Sequence, residues 1–359
     1  MKFTFKATIA AATAAFGLLA MPAQAQSSMQ TPGTTSFEAA FDSTLGTQVR
    51  APQDFVARYD TALEQRIAQL ADGSAGRIGV YAIDLASGEE VSIMGDQRFP
   101  MASTSKVAIA ATFLAGVDAG RWSLTSEYPL LRPVRSAKYS SARAPVRNGN
   151  YISARKHLDL MISKSCNSCT DALLRVVGGP EAVNAWMRGA GISEFELTRD
   201  IATLVRDDGE FDPASMVDRR DSATPRAMGQ LLAGIYQGRL LSANSRSVLI
   251  NAMKKTTTGK NRMVAALPAY ANVAHKTGTL NRTASDIGYF DTTDGRTIAV
   301  AIYVTGQSRS LLDEARNKRA ARSKRDRRIA DISRALYEGF SVRRSGNGRN
   351  YANATYGAN

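Results

Sequence analysis

The fold turns on Phe99-Pro100-Met101-Ala102-Ser103-Thr104-Ser105-Lys106 and the apolar run Val107-Ala108-Ile109-Ala110-Ala111-Thr112-Phe113-Leu114 behind it. A run of that length and composition reads as a buried helix. Ser103 and Lys106 then stand at i and i+3, one turn apart on one face. A serine hydroxyl is a poor nucleophile until a neighbour takes its proton. A lysine can do so once desolvation lowers its proton affinity. The pairing is weak alone, because Ser153-Ala154-Arg155-Lys156 repeats the spacing. An isolated Ser-x-x-Lys is ordinarily a helix start, with the serine as cap and the lysine solvated.

Upstream, Lys2 and Lys6 precede the apolar stretch Ala7 to Met21 and the small-x-small Ala23-Gln24-Ala25. That order is a secretory signal peptide over residues 1–25. The stretch is short and alanine-rich for a membrane span, and no later run is long enough to be one. The expectation is a periplasmic, monomeric protein with no integral membrane segment once the signal is cut. Residues 26–52, rich in Ser, Thr, Gln and Gly, read as a flexible leader; residues 53–340 form the body, and 341–359 a Gly/Asn-rich disordered tail.

The formal charge is +14, and from Asp313 to Asn359 twelve Lys or Arg stand against five Asp or Glu. A basic exported surface suits anionic lipid, envelope polymer or nucleic acid. No aromatic side chains interleave for base stacking, so nucleic acid is not expected as a partner. The plain reading is a solvated helix face. Cys166 and Cys169 can pair in an oxidising compartment. Against a redox role, the simpler expectation is two small buried side chains near a helix start, with the pairing left open. No metal or other cofactor is expected: His157 and His275 lack the paired spacing that zinc needs.

Taken in order, Phe55, Tyr59, Leu63, Ile67 and Leu70 recur at helical spacing from Gln53 to Leu70. Arg77 to Leu85 and Glu90 to Met94 read as two antiparallel strands around Ala86-Ser87-Gly88-Glu89. Gly120 to Ile152 reads as mostly loop, Leu158 to Val177 as a helix stopped by Gly178-Gly179-Pro180, and Pro180 to Gly189 as another. Ile192 to Arg220 reads as a long irregular loop, a length that is usually functional or disordered. Helices follow over Pro225 to Gln237 and Ser242 to Lys254, then strands over Asn272 to Thr279, Ser285 to Asp291 and Thr297 to Thr305. A charged stretch, Arg316 to Arg328, runs into a last helix, Ile329 to Tyr337. The fold class is therefore mixed α/β of the α+β kind. A five-stranded antiparallel sheet joins the two ends of the body, and an all-helical lobe of about residues 100–265 is inserted between them. A site is expected in the cleft between the two.

Two more motifs fall where that cleft lies: Ser165-Cys166-Asn167 in the helical region and His275-Lys276-Thr277-Gly278-Thr279 on a strand. Each is weak alone; Ser242-Ala243-Asn244 and Ser345-Gly346-Asn347 match Ser-x-Asn as well. The order Ser-x-x-Lys, Ser-x-Asn, Lys-Thr-Gly, each in a fitting type of element, resembles the class A β-lactamases among the serine penicillin-recognising enzymes. Arg220 to Met228, Met253 to Gly259 and Ala284 to Gly288 strengthen the likeness, which spans roughly Gln53 to Tyr337.

The resemblance implies a serine hydrolase that opens a β-lactam ring. Ser103 is the nucleophile, Lys106 and Ser165 move its proton, and Asn167 holds the substrate's amide. Lys276 and Thr277 bind its carboxylate, and Gly278 lets the strand come close to it. The Thr279 N–H completes an oxyanion hole with that of Ser103. One departure stands out: the family's Glu-x-x-Leu-Asn, whose Glu activates the deacylating water, is missing. Asp208, Glu196, Asp200 and Glu210 lie in the right stretch with the wrong neighbours. Without such a base, the resemblance points to a slow-deacylating, penicillin-binding-protein-like enzyme or a D-Ala-D-Ala peptidase relative.

Overall fold

Nine residues from Thr297 to Thr305, every one buried, form the spine of the computed structural model. The structure describes residues 47–49 and 61–341. The signal, the leader apart from Thr47–Val49, the start of the first helix and the tail beyond Ser341 lie outside the described residues; Thr47–Val49 is a strand paired antiparallel with Met216–Asp218, which corrects the reading of the leader as flexible throughout. In chain order the strands are β1 (Thr47–Val49), β2 (Ile78–Asp84), β3 (Glu90–Ile93), β4 (Phe99–Pro100), β5 (Glu127–Pro133) and β6 (Val146–Ser153). Next come β7 (Phe195–Glu196), β8 (Met216–Asp218), β9 (Ser222–Ala223), β10 (Ala274–Leu280), β11 (Thr283–Asp291) and β12 (Thr297–Thr305).

The main sheet has the order β10-β11-β12-β2-β3 with antiparallel neighbours throughout, as expected. Because side chains alternate along a strand, β12 feeds two cores. Ala299, Ala301 and Tyr303 face the inserted lobe. Ile298, Val300, Ile302 and Val304 face helices Ala62–Leu70 and Lys318–Ser341. A strand coated on both faces reads as a continuous apolar run, and Thr-Ile-Ala-Val-Ala-Ile-Tyr-Val-Thr is one.

The inserted lobe packs helix Ser105–Asp118 at its centre, where Val107 to Leu114 are all buried. Its hydrophobicity has no preferred side because it is surrounded. Around it stand helices Ala154–Ser163, Asn167–Val177, Pro180–Gly189, Pro225–Tyr236 and Ala243–Lys254. Three expectations fail here. The lobe is not all helix: β5 and β6 pair as a ribbon inside the stretch read as loop, and β4, β9 and β7 make a second small sheet. Pro129, Pro133 and Gly149 hid the ribbon, since proline is confined to strand edges and ends. The supposed single helix over Leu158 to Val177 is also two, broken at Lys164-Ser165-Cys166, where Ser165 takes a φ of +58°. The long loop from Ile192 to Arg220 holds a short helix, Ile201–Arg206, with Asp200 as its cap. No helix of the described residues is long and apolar enough to cross a membrane.

Candidate active site

The second Ser-x-x-Lys resolves first: Ser153 caps helix Ala154–Ser163, its hydroxyl accepting from the Lys156 N–H. The first has another setting. Ser103 lies in a 3₁₀ turn, Ala102–Thr104, that leads directly into helix Ser105–Asp118, and its side chain is half-buried. The turn is pinned to the sheet, with the Thr104 hydroxyl 2.7 Å from the Met101 carbonyl and 3.0 Å from the Tyr303 hydroxyl. Ala102 holds a φ of +50°, a left-handed conformation that costs a non-glycine residue about 1–3 kcal/mol. The strain sits immediately before Ser103.

Lys106 is fully buried and its ammonium nitrogen meets four oxygens: Ser103 Oγ at 3.0 Å, the Ser165 carbonyl at 3.0 Å, Ser165 Oγ at 3.1 Å and Asn167 Oδ1 at 2.6 Å. Lys276, also fully buried on β10, reaches Ser165 Oγ at 3.1 Å and the Thr277 carbonyl at 2.7 Å. Ser165 therefore bridges two amines, and Ser103, Lys106, Ser165, Asn167 and Lys276 form one connected cluster. Three distant segments meet as expected, and Ser103 keeps an opening to solvent.

Burial lowers the proton affinity of Lys106 to about 7, against the opposing field of Asp171. Burial, with Lys106 nearby, also holds Lys276 well below the usual lysine range. A low-dielectric pocket disfavours each ammonium, and two amines disfavour one another.

Thr277 Oγ1 bonds Thr258 Oγ1 at 2.6 Å, while Thr279 is exposed and accepts from Arg262 at 2.8 Å. Gly278 is crowded by the protein itself: an added Cβ would lie 2.4 Å from Ser285 Oγ and 2.8 Å from the Met101 carbonyl. Its lack of a side chain lets β10 approach the turn that carries Ser103. That is a closer constraint than the approach to substrate implied by the resemblance.

Three of the four loop carboxylates are occupied elsewhere. Asp200 accepts from the Thr203 N–H at 2.8 Å, and Asp208 from the Asn281 N–H at 2.8 and 3.0 Å. Glu210 pairs with Arg220 at 2.8 Å, and Glu196 sits on β7 in register with Ser222. No hydrogen bond of these four among the described residues reaches Ser103, Lys106 or Ser165.

The sequence reading missed three residues. Asp171 lies one turn beyond Asn167 on helix Asn167–Val177 and accepts the Ile201 and Ala202 N–H groups at 2.7 and 3.0 Å. It lines a cavity of about 590 Å³ together with Asn167, Ile201 and Ala202. Burial above all, then the Asp200 charge, raises its carboxyl to about 7. Its i+4 spacing from Asn167 was a usable signal. Arg262 is buried and donates to the Gly278 and Ser285 carbonyls at 2.8 Å and to Asp326 at 2.6 Å. Asp286 holds His275 Nδ1 at 2.8 Å beside Lys276. Cys166 and Cys169 are disulfide-bonded, a pairing that the sequence left open. The bridge closes over Asn167, so the oxidising alternative prevails. Among the described residues no group of side chains is arranged to hold a metal ion.

Residues 62–340 match the Beta-lactamase enzyme family. The chain is 30% identical over 256 residues to β-lactamase SME-1 of Serratia marcescens, covering 70% of this chain and 84% of that one. It is 31% identical over 242 residues to the carbapenem-hydrolyzing β-lactamase KPC of Klebsiella oxytoca, covering 66% and 78%. A solved β-lactamase from Chitinophaga pinensis superposes with a TM-score of 0.66 at 27% identity, over 78% of this chain and 100% of the other. The ancestral (GNCA) class A β-lactamase superposes at 0.62 with 31% identity, over 77% and 100%. The chain belongs to the β-lactamase enzyme family and has the class A β-lactamase fold.

Proposed function

We propose that this enzyme hydrolyses β-lactams through an acyl-enzyme on Ser103. The observation that carries this reading is Lys106: an amine with proton affinity near 7, 3.0 Å from the Ser103 hydroxyl. Near neutral pH a large fraction of it is neutral and able to accept that proton. Ser103 Oγ then bonds the lactam carbonyl carbon, and the developing oxyanion meets the Ser103 and Thr279 N–H groups. Each such donor contributes typically about 10²–10³ in rate. The proton passes from Lys106 through Ser165 Oγ to the lactam nitrogen as the ring C–N bond breaks. Water then cleaves the ester.

Asn167, Lys276, Thr277 and Thr279 take the binding roles, and Gly278 keeps β10 close to the nucleophile. An incoming carboxylate favours the charged form of Lys276 that burial opposes, so substrate binding and proton uptake are linked. Of Asp208, Glu196, Asp200 and Glu210, none has a contact that suits a deacylating base. This observation supports the second reading, an acyl-enzyme that hydrolyses slowly in the manner of a penicillin-binding protein. Kinship to β-lactamases favours turnover.

Intact mass spectrometry during turnover of a chromogenic cephalosporin separates the two. A transient adduct with released product supports hydrolysis, and a persistent adduct supports the trap. No adduct and no product would overturn both, and Ser103→Ala must abolish either signal. We further read residues 1–25 as an export signal and the mature enzyme as periplasmic and monomeric. N-terminal sequencing and gel filtration of the fractionated protein test this.

A further inference from the structure

Beside β10, the loop after helix Ala243–Lys254 and the start of helix Lys318–Ser341 enclose a cleft of about 340 Å³. It is lined by Gly259, Lys260, Asn261, Arg262, Arg319, Arg322, Ser323 and Asp326. Four cations thus face one carboxylate. Arg262 and Asp326 are fully committed to each other at 2.6 Å, and Arg262 also to the Gly278 and Ser285 carbonyls. Lys260, Arg319 and Arg322 are exposed and have no ion-pair partner among the described residues. Arg319 and Arg322 stand one turn apart on the same helix face, with Lys260 opposite them across the cleft. Arg199, Arg220, Arg226, Arg296 and Arg325 each meet a carboxylate, whereas Arg319 and Arg322 meet none among the described residues. Here the counter-charge is missing where a cavity is present.

We propose that this cleft binds a ligand carrying two or more phosphate groups. Two guanidinium forks and an ammonium suit multidentate oxyanions, since arginine takes such groups bidentately and lysine as a point charge. Ser323 and Asn261 add neutral donors, and the volume admits a pyrophosphate-sized group with its water. The phosphates can belong to a small diphosphate or be spaced along a phosphate polymer.

The test is calorimetric titration of the mature, full-length enzyme with sodium pyrophosphate and, separately, with long-chain polyphosphate, at 50 mM and 500 mM NaCl. Three proteins are compared: wild type, the cleft variant Lys260→Glu/Arg322→Glu, and the control Lys318→Glu/Lys324→Glu, which reverses the same charge outside the cleft. The proposal expects pyrophosphate to bind the wild type and the control alike. The cleft variant should bind at least about tenfold more weakly, as loss of even one charged hydrogen bond of about 1.5 kcal/mol dictates. High salt should weaken binding in every arm. A small diphosphate is the natural ligand class if the polymer gains nothing per phosphate over pyrophosphate, and a polymer is if it binds far more tightly while still losing affinity in the cleft variant. Equal weakening of both variants would show a diffuse field along the helix and overturn the proposal. So would the absence of pyrophosphate binding to a wild type whose melting curve and cephalosporin turnover are intact. Cephalosporin turnover of the wild type is read in parallel, and its loss would challenge the reading of Ser103 and not this one.

Discussion

Asp171 and Lys106 oppose each other across the catalytic floor. Each is buried, each is displaced from its ordinary proton affinity to about 7, and each partly offsets the displacement of the other. Asn167 links them, lying one helical turn from Asp171 and 2.6 Å from the Lys106 nitrogen. The pair therefore joins the proton chemistry of Ser103 to the short helix Ile201–Arg206, whose first N–H groups the Asp171 carboxylate accepts.

A pH profile follows. Acylation should rise with pH as Lys106 loses its proton, with an acid limb centred near 7. Asp171→Asn removes the negative field that favours the ammonium, so the limb should move to lower pH. Burst kinetics with a chromogenic cephalosporin from pH 5 to 9 measures it, and an unmoved limb would separate Asp171 from Lys106.

The same two groups give stability a pH dependence of opposite signs. Between the ordinary carboxylate value of 3.8 and about 7, folded Asp171 retains a proton that the unfolded chain has released, so its contribution falls as pH rises. Between about 7 and 10.5, folded Lys106 has released a proton that the unfolded chain retains, so its contribution recovers as pH rises. Urea melts at pH 5, 7 and 9 should show Asp171→Asn losing the acid-side decline while keeping the alkaline recovery.

Gly278→Ala should be disruptive although it removes no polar group. The new methyl meets the Met101 carbonyl and Ser285 Oγ inside contact distance, and overpacking of this kind costs about 1–3 kcal/mol. Because the relief is for β10 to move away from the nucleophile turn, kcat/KM should fall by at least about tenfold, roughly the 1.4 kcal/mol equivalent. Parallel thermal melting and steady-state kinetics check both figures.

The Cys166–Cys169 bridge encloses the segment that offers Asn167 to Lys106. Closing so short a loop stabilises by about 2 kcal/mol in the chain-entropy account. The double variant Cys166→Ser/Cys169→Ser should lose roughly that much in denaturant melts and acylate more slowly, and dithiothreitol should impose the same change on the wild type alone.

Asp221 anchors the long loop. One of its oxygens accepts the Thr198 and Arg199 N–H groups at 2.8 and 3.0 Å, and the other takes Arg199 Nε at 2.5 Å, with 2% of its side chain exposed. Removing one partner of a buried pair costs about 3–5 kcal/mol. Asp221→Ala should lower the melting midpoint accordingly and raise proteolytic cleavage between Leu197 and Ser222, which limited trypsin digestion reads directly.

The strands of the main sheet were legible because β12 is an apolar run between two threonines, β11 is bounded by turns, and β2 is short and turn-bounded. The reactive cluster was legible because Ser103 and Lys106 carry a helical spacing that survives folding unchanged. The β5–β6 ribbon was not, since its prolines and glycine mimic loop chemistry and its position is set by packing on helices Asn167–Val177 and Ala154–Ser163. Asp171 escaped for another reason: a carboxylate on a helix is ordinarily solvated, and only tertiary burial makes it a neighbour of Lys106. The disulfide was undecidable from spacing, which fits a bridge and a buried thiol pair equally.

One feature of the topology bears on how the chain is made. β2 and β3 are complete early, but the strand that covers β2 is the last of the sheet, and the Arg296–Asp84 ion pair at their shared end spans 212 positions. At ordinary translation speeds the ribosome needs about 10–40 s to deliver that partner. Throughout this interval the free edge of β2 is a row of unsatisfied amides open to any other nascent strand. Vectorial synthesis thus leaves the hairpin without its template until the final stretch emerges, and the enzyme's yield depends on keeping that edge unpaired in the meantime.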